Sequence, residues 1–128
     1  MTFEQASYDG KPTYELAEEA KHNPEVCVAC CEAELRVFEA NSYELAPAPY
    51  FFERATVLFT KAKDWETVVY WAESYLNALK LYRQHATPGS AKVWLSPKVE
   101  KLRERLKNAQ LKLKKHLLLR RDQQELTR

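Results

Sequence analysis

Apolar positions along the chain recur in steps of three and four, the rhythm of helices with one dry face. Val26, Cys27, Cys30, Cys31, Leu35 and Phe38 form one such stripe, with Glu25, Glu32, Arg36 and Glu39 on the wet side. Asn23-Pro24-Glu25 supplies a cap, a first-turn proline and a carboxylate for the positive end, so a helix over 24–39 is predicted. A shorter helix over 14–21 precedes it, with Thr13 as its expected cap and Glu15, Glu18 and Glu19 near its start. Residues 41–49 read as a linker, because Pro47 and Pro49 stop a helix from running through. Pro49 opens a third helix carrying Tyr50, Phe51, Phe52, Ala55, Leu58, Phe59 and Ala62. Lys63-Asp64 forms a turn, and Asp64 caps a fourth helix over 65–85.

That fourth helix carries two neighbouring apolar stripes. Trp65, Val68, Val69, Ala72, Leu76 and Leu79 make the first; Trp71, Tyr75, Ala78 and Tyr82 make the second. A helix apolar on two sides is a central element of a stack. After a loop at 87–90, a helical turn over 91–95 is expected to bring Trp94 against the core. Ser96-Pro97 opens a last helix over 97–124, in which Val99, Leu102, Leu106, Ala109 and Leu113 trace a seam two heptads long. The seam then degrades into His116-Leu117-Leu118-Leu119-Arg120-Arg121. Residues 1–12 read as a loose arm with turn chemistry at Asp9-Gly10-Lys11-Pro12, pinned by Tyr8 and Phe3. The fold expected is all-α: one domain of antiparallel helical hairpins over 13–86, closed or extended by a long basic C-terminal helix.

Composition narrows the classes. Only two of 128 residues are glycine, too few for the turns of an all-β fold or for a Gly-rich nucleotide loop. No apolar run is long enough to span a membrane. The first ten residues lack the basic and apolar regions of a signal peptide, and three cysteines suit a reducing compartment, so a cytoplasmic protein is expected. The starting Met1 and the lack of tags suggest an intact product. Charge is uneven: residues 1–97 hold 9 Lys and Arg against 14 Asp and Glu, whereas residues 98–128 hold 11 against 4. A basic tail helix on an acidic body docks on that body, on a second copy, or on another anionic partner.

Residues 49–82 resemble one tetratricopeptide repeat, a helix–turn–helix unit of about 34 residues. Phe52, Thr56 and Phe59 stand on the aromatic, small and aromatic positions of its first helix. Asp64-Trp65 matches the turn, and Ala72 falls on a small position of the second helix. Val68 and Tyr75 depart from the pattern where small residues are usual, and the closing proline near Lys80 is absent. No self-similar copy is found elsewhere in the chain. The resemblance implies a scaffold that binds a peptide or helix in a concave groove. The family's carboxylate clamp uses Lys, Arg and Asn on inner helix faces. Arg54, Lys61 and Asn77 are the candidates here, though they match no clamp spanning several repeats.

Cys27-x-x-Cys30-Cys31 is one cysteine pair and a neighbour on an apolar stripe, with no second pair to complete a zinc tetrahedron. Core packing is the simpler reading, with metal binding or redox chemistry as the alternative. His22, His85 and His116 lie far apart, the first two near helix ends where the dipole favours them. No catalytic residue, cofactor or metal is expected. The expected function is a non-catalytic protein–protein interaction module: an adaptor, chaperone or regulatory subunit. Its groove is expected to use exposed aromatics Tyr50, Tyr70 and Trp71 beside Arg54, Lys61 and Asn77. The alternative is a nucleic-acid-associated protein working through Arg103, Lys107, Lys112, Lys114, Lys115, Arg120 and Arg121. The heptad seam could also join two chains as a homodimer.

Overall fold

The structure is a computed structural model that describes residues 4–126. Phe3, one of the two expected pins of the arm, lies outside the described residues. Five α-helices dominate: α1 (Ala17–His22), α2 (Pro24–Ala40), α3 (Pro49–Lys61), α4 (Trp65–Gln84) and α5 (Pro97–Leu126). The only sheet among the described residues is a hairpin of β1 (Ser7–Tyr8) and β2 (Lys11–Pro12). The fold is all-α, as the sequence pattern requires.

Each long helix begins where local chemistry says it should. The Asn23 side chain accepts hydrogen bonds from the backbone N–H groups of Glu25 and Val26 at the start of α2. Pro49 occupies the first turn of α3. Asp64 accepts from the backbone N–H of Thr67 and from its hydroxyl, and Ser96 accepts from the Lys98 N–H. The ends of α2 and α3 share one device. Ser42 and Lys63 adopt left-handed backbone, at φ 57° each. Beyond them, Tyr43 N–H bonds to Phe38 O, and Asp64 N–H to Phe59 O. These are Schellman closures, and the first brings the Phe38 and Tyr43 rings to 5.2 Å.

The N-terminal stretch differs from the sequence reading. Residues 4–12 are not a loose arm. Asp9 and Gly10, both at positive φ, make the two-residue turn of the hairpin. Ahead of it, Glu4 N–H donates to the Asn41 side-chain oxygen at 3.0 Å, and the Asn41 amide donates back to Glu4 O at 3.1 Å. A side-chain amide thus pairs with backbone as a neighbouring strand would. Ala6 is buried, whereas Tyr8, the other expected pin, is exposed. Thr13 is not a helix cap either. It opens a 3₁₀ turn, Thr13–Leu16, with no side-chain cap, and its buried hydroxyl donates to Glu34 on α2 at 2.7 Å.

α3 is the hub. It packs against α1, α2, α4 and α5, while α1 leans on α2 and α5 also lies along α4. One buried cluster runs from Leu16 and Ala20 through Cys27, Cys30, Cys31, Phe52 and Tyr75 to Val99 and Leu102. The α3–α4 pair is the hairpin that resembles a tetratricopeptide repeat. It stands alone among the described residues: α1 is only six residues long, and nothing repeats the pair. The three cysteines are fully buried in the core. A hydrogen bond from the Cys31 thiol holds Cys27 below its ordinary value against the opposing effect of burial. Burial pushes Cys30 up to about 11 and raises Cys31 further. No group of three or more His, Cys, Asp or Glu among the described residues is placed to hold a metal ion. Among the described residues, no helix is long and apolar enough to cross a membrane.

Candidate interaction surface

The six candidates on α3 and α4 do not line one groove. Trp71, expected to be exposed, is buried at 4% and lies edge-on to Phe52, at 6.1 Å between ring centroids. Its neighbour Tyr70 is 59% exposed, because one step along a helix turns the side chain by about 100°. Tyr50 and Arg54 both hold α1 in place. The Tyr50 hydroxyl donates to Ala17 O at 3.1 Å, and burial pushes that phenol up. The Arg54 guanidinium donates to Lys21 O at 2.8 Å, and its buried Nε has no partner. Lys61 is exposed at the end of α3, and Asn77 is exposed on the same outer face of α4 as Tyr70. A cleft of about 430 Å³ does open beside α4, but on its other side, between Leu76, Leu79, Lys80, Arg83, Gln84 and Arg103.

The basic helix is two structures in one. In its first half, Val99, Leu102 and Ala109 are fully buried, and Leu106 and Leu113 half-buried. The heptad seam therefore packs on α3 and α4 of its own chain. Arg105 makes hydrogen bonds across this interface. It donates to the carboxylate of Glu53 at 2.8 Å and to the Thr56 hydroxyl at 3.4 Å. Glu53 is 7% exposed, so Arg105 supplies the charge that a buried carboxylate needs. Sequence reasoning missed this pair. Its members are 52 residues apart, and Glu53 looks like any surface glutamate.

Beyond Leu113 the body ends and the helix continues. Every residue of 114–125 is exposed, a projection of about 18 Å at the α-helical rise. Leu117, Leu118 and Leu119 are 64%, 52% and 56% exposed, and Leu111, about two turns earlier, is 59% exposed. Of the expected basic residues, Arg103 is ion-paired with Glu100 at 2.6 Å. The Lys112 ammonium sits 6.0 Å from the Trp65 ring centroid. Lys107, Lys114, Lys115, Arg120 and Arg121 are exposed, and none is in an ion pair among the described residues.

The leucines show which faces are available. Leu117 prolongs the inner seam past the end of the body. Leu111 and Leu118, seven residues apart, lie on the opposite side of the helix, between Lys107, Lys114 and Arg121. This second stripe was present in the sequence as an interval of seven, hidden beside the stronger seam. These leucines lie outside the buried core. The chain matches no protein-family model, no curated protein and no solved structure.

Proposed function

We propose that this protein is a non-catalytic protein–protein interaction module, and that it binds through the projecting arm of α5 rather than through a groove between α3 and α4. The observation that carries this reading is four leucines, each more than half exposed: Leu117, Leu118 and Leu119 where the helix has left its own body, and Leu111 on the outer face just before it. The arm continues a helix already nucleated on the body, so it holds these leucines in helical register. Lysines and arginines around the leucines select for an acidic helical surface with an apolar strip, by the helix-in-groove mode of recognition. Adaptor, chaperone and regulatory-subunit roles all fit such an arm.

The alternative, association with nucleic acid, uses the same lysines and arginines but has no use for the leucines. The two separate cleanly by fluorescence anisotropy with a synthetic acidic amphipathic helix and a DNA duplex as probes. The expected result is that Leu111→Gln with Leu118→Gln weakens peptide binding by about tenfold while leaving duplex binding unchanged, since phosphate contacts are sequence- and leucine-independent. Peptide binding indifferent to the leucines, beside duplex binding that falls steeply with salt, would replace the protein-binding reading by the nucleic-acid one.

A further inference from the structure

Charge is sorted along the stack. Residues 1–48 hold three Lys and Arg against ten Asp and Glu, and residues 98–128 hold eleven against four. The sorting continues at the level of single helix faces. On α2, Glu25, Glu32 and Glu39 recur every seven residues, all exposed and turned away from the buried cysteines of the same helix. On α5, Lys107, Lys114 and Arg121 recur at the same interval, all exposed. Seven residues of helix rise about 10.5 Å, so the two rows have equal spacing and opposite sign.

The spaces between the charges match as well. Leu111 and Leu118 fill the α5 row, in the order Lys107, Leu111, Lys114, Leu118, Arg121. The α2 row runs Glu25, Ala29, Glu32, Arg36, Glu39, with the same alternation of four- and three-residue steps. Half-buried Ala29 and the aliphatic stem of exposed Arg36 give the leucines apolar surface to lie on. Within one chain these rows cannot meet. α2 and α5 both pack on α3, and each row faces away from the body it belongs to.

We infer that the outer row of α5 docks along the outer row of α2 of a second copy of this chain. This rests on the reading of the α5 arm as a protein-binding surface and names its partner. Exposed ion pairs are individually weak, so the contact is concentration-dependent and salt-sensitive. Two such contacts made reciprocally close a two-fold dimer.

The test is analytical ultracentrifugation of the full chain at low and high salt, with two charge-reversed variants. One carries Lys107→Glu, Lys114→Glu and Arg121→Glu; the other carries Glu32→Lys and Glu39→Lys. Glu25 stays, because it sits in the first turn of α2 where the helix dipole favours it. All substituted positions are exposed, and circular dichroism checks that the helices persist. The expected result is self-association of the natural chain that weakens about tenfold from low to high salt. Each variant alone should be monomeric, and an equimolar mixture of the two should associate again. A natural chain that stays monomeric at low salt and high concentration overturns the proposal, as does association untouched by the Glu32/Glu39 reversal. If the arm still binds the acidic helical peptide in a leucine-dependent way, only the choice of partner has failed. If that binding is absent too, the protein-binding reading of the arm falls with it.

Discussion

The two halves of α5 have similar composition and different fates. Up to Leu113 its seam leucines, Leu102, Leu106 and Leu113, lie on α3 and α4, and Arg105 reaches the buried Glu53. From Lys114 onward every side chain through Glu125 is exposed, leucines included. Basic charge is plentiful in both, so charge did not decide where the helix packs. The body simply ends, and an apolar seam has meaning only where another surface faces it. The first half of the helix serves its own fold; the second half is where the proposed partner would bind.

The largest expected break in that contrast is Leu102→Ala. Leu102 is fully buried, and the loss should be about 2–5 kcal/mol of unfolding free energy in urea titration. Next comes Arg105→Met, which keeps the packing of the stem but leaves the Glu53 carboxylate without its cation. We expect a loss of about 2–3 kcal/mol, below the full penalty for breaking a buried pair, because the Arg105 side chain is still 28% exposed. Glu53→Gln in the same background should recover part of it, and failure to do so would mean that Arg105 acts by packing alone.

Alkaline pH probes the packed side in a different way. Cys30 titrates near 11 in the folded chain against an ordinary 9.0, because burial disfavours its thiolate. The unfolded chain therefore binds fewer protons than the folded one between those values. Stability contributed by the neutral thiol is complete below about pH 9 and is lost as pH rises to about 11. Buried Tyr75 and Cys31 shift in the same direction, and Cys27 in the opposite one. Thermal melts across this range should fall with pH, and fall less steeply for Cys30→Ala. The smallest effect belongs to the arm. Leu118→Ala should leave unfolding free energy within about 0.5 kcal/mol, a null result that would be informative beside a loss of partner binding.

Much of the fold was legible because its signals are local. Asn23-Pro24, Pro49, Asp64 and Ser96-Pro97 each act within one turn, and each starts a helix where it was expected. Interactions across the chain were not legible. Tyr70 and Trp71 look equally fit for either side of a boundary, and only the docking of Phe52 decides which one is buried. Asn41 holds Glu4 from 37 residues away, and nothing periodic announces it. The end of the seam was legible too. Its loss of rhythm after Leu113 marks where a regular helix outruns its support.

The buried positions of α5 also bear on the order in which the chain is made. Val99, Leu102 and Ala109 come from the last quarter of the sequence, yet they complete the wall of α3 and α4. During synthesis those two helices are translated first, with aromatic and aliphatic surface uncovered until the final segment arrives. A ribosome-bound intermediate ending near Pro97 would be sticky, a natural client for a chaperone. Messenger truncated in that interval would yield a product that aggregates rather than one that merely lacks a tail.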